Sequence, residues 1–172
     1  LSTVLIDKPG APVKQALLDA GIGKDVFCYA ENETLQPFFA IVSKNANAEQ
    51  KDEFVKVIRE ALEKIVKEGL NKKSLLAAIN NREFQYREGD YGGFPKGLLY
   101  NIMMLGSWLY DDKAAFNYMH ANDIYKKFKD KIDEGYFESL IQKYFLDSEH
   151  MTVLTLKPKK GLNNEKEEAL DK

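Results

Sequence analysis

The sequence predicts an α+β domain in which helices pack on a small, mainly antiparallel sheet. Residues 25–30 and 35–43 are rich in aromatic and β-branched side chains, and the short polar link between them predicts an antiparallel hairpin. Residues 150–156 alternate as a strand does, and we expect this late strand to return and pair with the hairpin. The long stretch between the strands carries apolar residues at helical spacing, so we expect helices to cover the sheet.

Length, charge and cysteine content exclude several classes of protein. A chain of 172 residues is one domain by the usual relation between length and domain number. Charged residues make up 30% of it but leave a net charge of only -2, so no overall field attracts nucleic acid or an anionic membrane. The single cysteine, Cys28, excludes an internal disulfide, and no apolar run approaches the roughly 20 residues that cross a bilayer. We therefore expect neither nucleic acid nor a membrane among the partners of the chain.

The first twenty residues predict two short helical segments. Residues 1–10 have the pattern of the last turns of a helix that is stopped at Pro9. Residues 11–20 predict a short helix of their own. The side chains that we expect to face the core are Val13, Leu17 and Leu18.

Residues 47–69 predict the clearest helix of the chain. Asn47 can cap its first turn, and Gln50 stands three residues later, as in a capping box. Gly69 supplies a left-handed stop. A stripe of apolar side chains runs along the helix, and we expect this stripe to pack on the sheet. The stripe consists of Phe54, Val57, Ile58, Ala61, Leu62, Ile65 and Val66.

A glycine-rich turn between two helices is the most unusual local signal in the sequence. Gly89, Gly92 and Gly93 permit backbone angles that are closed to other residues, and we expect Gly92 or Gly93 to adopt a positive φ. Pro95 fits the first turn of the helix that follows, because its missing N–H costs nothing there. We interpret the three glycines as a specific hinge rather than a random loop.

The helices on the two sides of this hinge differ in pattern. Asn71 starts the first helix, in which Glu83 and Arg87 stand four residues apart as an ion pair. The second helix carries apolar side chains on nearly all sides, which is typical of a buried element. These side chains are Leu98, Leu99, Ile102, Met103, Leu105 and Leu109.

The last third of the chain predicts two more helices before the late strand. The first of them ends near Gly135, and the second follows directly. Residues 162–172 begin a further, charged segment. The apolar positions are Ile124, Tyr125, Phe128 and Ile132 in the first helix, and Phe137, Leu140, Ile141, Tyr144 and Phe145 in the second.

Residues that could carry chemistry are sparse. His120 and His150 lie far apart in sequence, and neither has a second ligand at metal-site spacing, so surface positions are the simpler interpretation. Cys28 falls in a predicted strand and is interpreted as a small core residue rather than a nucleophile. Asp111 and Asp112 are expected in a solvated turn.

Aromatic side chains gather around the glycine hinge and allow two interpretations. The simpler interpretation places them in the core. The functional one makes them a wall that binds extended apolar peptides. The side chains are Phe84, Tyr86, Tyr91, Phe94, Tyr100 and Trp108.

Five blocks of the sequence stand in an order that points to a known family. They are KQALLDAGIGKDV, LQPFFAIVSKNA, EKIVKEGLNKKSLLAAINNREFQYREGDYGGFPKGLLY, WLYDD and HMTVLTLKPKKGL. Their succession, which covers essentially the whole chain, resembles the presequence-protease branch of the insulinase-like (pitrilysin) zinc metallopeptidases. The chain resembles the second, non-catalytic domain of the N-terminal half, with the LuxS/mitochondrial-processing-peptidase-like metallohydrolase fold truncated at its N-terminus. By this resemblance residues 1–158 form that domain, and residues 159–172 start the linker to the C-terminal half.

The resemblance implies a parent enzyme that cuts short unstructured peptides in a closed chamber. In such enzymes an H-x-x-E-H helix of the first domain holds the zinc, and this sequence contains no such motif. We therefore expect no catalytic residue, metal ligand or cofactor in these 172 residues, and zinc elsewhere in the parent. The expected partners are the remaining domains of the parent chain and unfolded peptides. The expected compartment is the cytoplasm in a bacterium or the organelle matrix in a eukaryote.

The resemblance also gives the glycine hinge a role. The candidates for the surface of the substrate chamber are Phe84, Tyr91, Phe94 and Tyr100, beside the hinge residues Gly89, Gly92 and Gly93. Two alternatives stay open at this stage. One is a non-catalytic scaffold or assembly subunit of the processing-peptidase type, and the other is an independent helical interaction domain.

Overall fold

The computed structural model describes residues 1–32, 34–89 and 92–170, and in this part of the chain one antiparallel hairpin lies among helices. This arrangement confirms the predicted α+β class. The strands are β1 (Asp25–Glu31) and β2 (Phe38–Lys44), and the helices are α1 (Pro12–Asp19), α2 (Lys51–Glu68), α3 (Lys72–Glu88), α4 (Lys96–Trp108), α5 (Ala121–Asp130), α6 (Tyr136–Ile141) and α7 (Leu162–Leu170). Shorter helical turns span Thr3–Asp7, Ala48–Gln50, Asp112–Ala114, Asn117–His120, Lys131–Glu134 and Gln142–Leu146.

The predicted hairpin is confirmed. Asp25 lies opposite Lys44 at its open end, and Glu31 lies opposite Phe38 at the loop. The rings of Tyr29 and Phe38 meet edge to face across the strands, with their centroids 6.1 Å apart. Two strands alone are marginal in water, so the hairpin depends on α1 and the Thr3–Asp7 turn, against which β1 packs.

The predicted third strand is wrong for the part of the chain that the structure describes. Residues 150–156 carry no strand assignment, and the sheet contains only β1 and β2. An alternating pattern favours a strand, but the strand forms only where another strand offers unpaired backbone groups. Neither β1 nor β2 pairs with this segment. Among the described residues, the late segment therefore does not join the hairpin.

The core is built around α1. Val13 and Leu17, four residues apart on one face of this helix, are fully buried, and Ile22, Val26 and Ile141 close around them. Burying side chains of this size contributes about 1.5–3 kcal/mol each. Leu18 is 37% exposed, so the prediction that it faces inward is wrong. One residue along a helix rotates the side chain by about 100°, which carries Leu18 off the buried face.

The predicted start of α2 is confirmed, but the predicted partner of its apolar stripe is wrong. The side-chain oxygen of Gln50 accepts a hydrogen bond from the Asn47 backbone N–H at 3.1 Å, as in a capping box. Leu62 and Ile65 are buried. The stripe packs mainly on α1, α6 and the Gln142–Leu146 turn rather than on the sheet. A two-stranded sheet is too narrow to cover an 18-residue helix, so other helices take that place.

The junction between α2 and α3 is held by side-chain hydrogen bonds. Asn71 caps α3 by accepting from the backbone N–H of Ser74 at 2.9 Å, which confirms the predicted start. The backbone N–H of Leu70 donates to the Glu138 carboxylate of α6 at 2.7 Å. This charge-assisted bond fixes the position of α6 against the end of α2.

The two late helices are confirmed in type and order. α5 and the Lys131–Glu134 turn end at Gly135, which has a φ of 68°, and α6 begins directly after it. The rings of Phe128 and Phe137 meet at a centroid distance of 5.8 Å, so the two helices share an aromatic contact. Among the described residues, no helix has both the length and the apolar content needed to span a bilayer.

The prediction that α4 is buried is wrong. No residue of α4 reaches the buried class, and Leu98, Ile102 and Leu105 are 51%, 45% and 41% exposed. The neighbours of α4 are mainly the short turns Asp112–Ala114 and Asn117–His120, which are too small to cover a helix with apolar side chains on most sides. In the described part of the chain, the face of α4 that carries Leu98, Ile102 and Leu105 is therefore exposed to solvent.

Candidate functional site

The glycine turn joins α3 to α4 through a series of left-handed residues. Gly89 ends α3 with φ 57° and ψ 32°, and its N–H donates to the Gln85 carbonyl at 3.0 Å. Gly92 and Gly93 follow with φ values of 68° and 89°, which confirms the prediction of a positive φ at this turn. Whether the turn moves as a hinge stays a prediction. Tyr91, one of the predicted chamber residues, lies outside the described residues.

Tyr100 and Lys96 of α4 contact the end of α3, and we call this pair of contacts the clasp. A Cβ at Gly89 would lie 2.5 Å from the Tyr100 hydroxyl oxygen, so any other residue at this position would force the Tyr100 side chain to move. The Lys96 ammonium group donates to the Glu88 carbonyl at 2.8 Å, which satisfies one of the free carbonyls at the end of α3. Gly89 is thus favoured both by its left-handed backbone angle and by the room that it leaves for Tyr100.

A shallow cleft of about 240 Å³ opens beside this clasp. It is lined by Tyr86, Arg87, Tyr100, Met119 and Asn122. The Tyr86 hydroxyl donates to the Tyr118 carbonyl at 3.1 Å, and the two rings meet edge to face at 5.5 Å. These contacts hold the wall formed by α3 against the Asn117–His120 turn.

The structure brings only part of the predicted aromatic surface together. Tyr100 lines the cleft and touches the Gly89 end of α3. Phe84 stands two residues before Tyr86, about 200° around the helix, and is 63% exposed. Phe94 follows the glycines and is 59% exposed. Phe84 and Phe94 therefore present open aromatic surface outside the cleft, and the core interpretation is wrong for both.

A cluster of three charged residues, Glu83, Arg87 and Lys129, joins α3 to α5, and we call it the charged brace. The Glu83 carboxylate accepts from the Lys129 ammonium group of α5 and pairs with the Arg87 guanidinium at 2.6 Å, which confirms the predicted ion pair. The hydrogen bond from Lys129 is the main cause that lowers the pKa of Glu83, and the charge of Arg87 adds to it. The same pair fixes Arg87 at the rim of the cleft.

The groups that could carry covalent or metal chemistry lie away from the cleft. The Cys28 thiol donates toward the Asp7 carboxylate at 3.6 Å, and burial, followed by this carboxylate, raises the pKa of Cys28 to about 11. A thiol with this pKa stays protonated and unreactive near neutral pH. His120 and His150 are exposed. Among residues 1–32, 34–89 and 92–170, no three His, Cys, Asp or Glu side chains are grouped to hold a metal ion.

The cleft and its surroundings are suited to binding. Tyr100, Asn122 and Arg87 offer hydroxyl, amide and guanidinium groups that hydrogen-bond to peptide carbonyls and carboxylates. Met119 adds an adaptable apolar contact. This set contains no carboxylate, imidazole or thiolate to act as a base or nucleophile. The lining of the cleft therefore offers polar and apolar contacts but no acid, base or nucleophile.

Sequence reasoning missed two lining residues, Met119 and Asn122. Met119 comes from the short Asn117–His120 turn between α4 and α5, and Asn122 comes from the first turn of α5. One signal was available, because Met119 and Asn122 are three residues apart and so share a face if the segment is helical. Nothing in the sequence pairs that face with α3.

Comparisons with known proteins give a consistent relationship. The profile of the family described as the Peptidase M16 inactive domain matches residues 1–82. Protein HypA of Clostridium perfringens is 38% identical over 172 residues, which is 100% of this chain and 18% of that protein. Presequence protease 1, chloroplastic/mitochondrial, of Arabidopsis thaliana is 29% identical over 163 residues, or 92% of this chain and 15% of that protein.

The same relationship extends to an animal protein. The mitochondrial presequence protease of Xenopus tropicalis is 21% identical over 162 residues, which is 92% of this chain and 15% of that protein. The chain thus spans between 15% and 18% of the length of these relatives. The similarity reaches well beyond residues 1–82 and includes the glycine turn and the cleft.

Proposed function

The chain belongs to the insulinase-like M16 peptidase family as a non-catalytic domain related to presequence proteases, and on this premise we propose that it forms part of the wall of a peptide-degrading chamber. In the proposal, residues 1–158 are one domain of a longer zinc endopeptidase, and residues 159–172 lead into its second half. Zinc and the water that it activates belong to another domain of that parent. The role of this domain is to bind unfolded peptide and to support the catalytic domain.

The observation that carries the proposal is the open aromatic and apolar surface around the glycine turn. Phe84, Phe94 and Trp108 are each about half or more exposed, and Leu98, Ile102 and Leu105 of α4 are exposed as well. Where exposed apolar side chains of this kind lie together, they mark a binding site or an interface in a stable protein. Unfolded peptides expose the side chains and backbone groups that such a surface recognises.

The cleft adds polar anchors to that surface. Its hydroxyl, amide and guanidinium groups hydrogen-bond to peptide backbone without reading a particular sequence. The left-handed glycines keep side chains away from the backbone at the turn, so an extended peptide can approach closely. Broad recognition of short unstructured peptides follows from this combination.

The test is peptide cleavage by the full-length parent carrying Phe84→Ser and Phe94→Ser, singly and together. Losing about 1.4 kcal/mol of apolar contact corresponds to a tenfold change, so each substitution should raise KM for an unfolded peptide about tenfold. kcat should change little, because in the proposal the peptide is cut at another domain of the parent. Tyr144→Ser is the matched control, since Tyr144 is 60% exposed but lies on the Gln142–Leu146 turn.

Three results decide between this proposal and its rivals. A KM that is unchanged in both Phe variants, with the control also unchanged, refutes the peptide-binding wall. A parent that contains no zinc and cuts no peptide, but co-purifies with a peptidase subunit, favours the scaffold of the processing-peptidase type. Loss of activity in the Tyr144→Ser control would instead show that exposed aromatic residues in general support the fold.

A further inference from the structure

We propose that the cleft beside the clasp is a subsite for a carboxylate group of the bound peptide, with Arg87 as its charged anchor. This inference rests on the proposed function, because it names the chemistry that the cleft recognises on an unfolded peptide. Two sources on a peptide share this chemistry, the C-terminal carboxylate and the side chains of aspartate and glutamate. The subsite therefore selects an anionic group and not a particular sequence.

The first observation is the charge of the brace. The Glu83 carboxylate pairs with two cations, the Arg87 guanidinium and the Lys129 ammonium group. Because one negative charge cannot neutralise both cations, the cluster keeps an excess of positive charge. The side chain of Lys129 is 33% exposed and that of Arg87 is 62% exposed. A ligand that arrives from solvent therefore meets the excess charge at Arg87, which lines the cleft.

The second observation is the chemistry of the lining. Among the described residues that line the cleft, Arg87 carries the only formal charge, and Tyr100 and Asn122 add hydroxyl and amide donors. The acidic residues Glu88 and Asp123 each stand one residue from a lining residue, about 100° around the helix, and do not line the cleft. A carboxylate in the cleft thus meets hydrogen-bond donors and a cation, whereas a cationic group is repelled by Arg87.

A further cation stands beside Tyr100. Lys96 precedes Tyr100 by four residues on α4, so the two side chains share a face of this helix. Atoms of both lie near the position of a Cβ at Gly89, at 3.6 Å for Lys96 and 2.5 Å for Tyr100. The Lys96 ammonium group donates to the Glu88 carbonyl, which is uncharged, so this bond does not neutralise it. The positive charge of Lys96 adds to the attraction of an anion to this cleft.

The Arg87 side chain is positioned for this contact before a ligand arrives. Its pair with Glu83 at 2.6 Å restrains the side chain, which lowers the entropy that it loses on binding. A planar guanidinium carries more N–H donors than one carboxylate accepts, and it binds carboxylates in a two-pronged geometry. The cleft of about 240 Å³ is smaller than the roughly 300–1,000 Å³ of pockets for drug-sized ligands, so it suits a single terminal or side-chain group.

Cleavage of one fluorogenic unfolded peptide in four forms by the full-length parent tests the proposal. The peptide carries a single glutamate, which is kept or replaced by glutamine, and its C-terminus is a free carboxylate or an amide. In the unmodified parent, neutralising one of the two carboxylates should raise KM at least about threefold. The carboxylate whose loss has this effect is the source that the subsite recognises. A KM that is equal for all four forms overturns the proposal.

Arg87→Gln tests whether the cleft causes this preference. In this variant the KM of the acidic form should rise to that of the neutral form, so that their ratio becomes one. Arg59→Gln is the matched control, because it removes the same charge from an exposed position on α2 and should keep the ratio. KM does not depend on the fraction of enzyme that is folded, so the ratio stays meaningful if a variant is less stable. A ratio that is unchanged in Arg87→Gln, or lost equally in Arg59→Gln, refutes the subsite.

Asn122→Asp is a second and independent variant. It adds a carboxylate to the lining at nearly constant size, and an acidic residue is favourable in the first turn of α5. We expect this variant to lose the preference for the acidic form, because the new carboxylate pairs with Arg87 and repels the carboxylate of the peptide. A preference that survives Asn122→Asp contradicts binding of the carboxylate in this cleft.

The Phe84→Ser and Phe94→Ser variants separate this inference from the peptide-binding wall. Loss of the wall should raise the KM of all peptide forms by the same factor and leave their ratio unchanged. A raised KM in the Phe variants with equal KM for acidic and neutral peptides supports the wall and overturns the subsite. The reverse result, unchanged Phe variants and a ratio that is lost in Arg87→Gln, supports the subsite and refutes the wall.

Discussion

Replacing Gly89 by alanine is the sharpest test of the clasp between α3 and α4. Gly89 has a φ of 57°, and placing an L-residue in this left-handed region costs about 1–2 kcal/mol. The new Cβ would also lie 2.5 Å from the Tyr100 hydroxyl oxygen. Moving that ring away from its rotamer costs about 0.5–1.5 kcal/mol more. Gly89→Ala should therefore lower the free energy of unfolding by about 1.5–3.5 kcal/mol.

Gly92 provides a matched control on the same turn. Its φ is 68°, but no atom of the described residues lies within 4 Å of the position that a Cβ would take. Gly92→Ala should thus lose only the conformational part, about 1–2 kcal/mol. Urea unfolding followed by circular dichroism measures the free energy of unfolding of both variants, provided that the denaturant dependence stays constant.

A second substitution isolates the contact with the hydroxyl group. In the Gly89→Ala background, Tyr100→Phe removes the oxygen that the new Cβ meets, so it should restore about 0.5–1.5 kcal/mol. In the unmodified chain the same substitution should not stabilise. Equal losses at Gly89 and Gly92, together with no recovery from Tyr100→Phe, would refute the reasoning that Tyr100 requires a glycine at the end of α3.

Three further predictions concern the core, the charged brace and the thiol. Leu62→Ala should lower the free energy of unfolding by about 2–5 kcal/mol, because Leu62 is buried at 3% exposure. Leu76→Ala is the control, since Leu76 is 41% exposed. An unchanged denaturation midpoint for Leu62→Ala would contradict the placement of Leu62 in the core. The pKa of Glu83 is lowered in the folded chain, so its carboxylate stabilises the fold above the ordinary glutamate pKa of about 4.3 and loses this effect as pH falls through the lowered pKa. The difference in free energy of unfolding between the unmodified chain and Glu83→Gln should therefore vanish in acid. A difference that does not depend on pH would contradict this. Cys28, with a pKa of about 11, should react with iodoacetamide at pH 8.5 on the order of a hundredfold more slowly than a free thiol. Rapid alkylation of the folded chain would show that the pKa of this thiol is not raised by burial and by Asp7.

Local chemistry determined much of this protein before any tertiary contact. The hairpin follows from two β-rich runs joined by a short link, and its pairing from Asp25 to Glu31 agrees with that pattern. Asn71 caps α3 through the backbone N–H three residues away. Gly89 ends the same helix because a left-handed residue is needed there. Each of these interactions spans only a few residues, so the sequence alone carries the information.

The candidate site was predictable only in part. The turn, its positive φ angles and the Glu83–Arg87 pair follow from residue type and spacing. The approach of Tyr100 to Gly89 depends on how α4 folds back over the end of α3, and spacing does not specify that angle. The contribution of Met119 to the cleft depends likewise on a turn that packs against another helix.

Tertiary structure alone decided which apolar surfaces are covered. The composition of α4 is that of a buried helix, yet Leu98 is 51% exposed because mainly short turns lie beside this helix. Residues 150–156 alternate like a strand, yet they stay unpaired because the described chain offers them no partner. The stripe of α2 packs on α1 and α6 because a hairpin is too narrow to cover it. An apolar pattern states that a side chain favours burial, whereas the neighbouring elements determine whether burial occurs and against what.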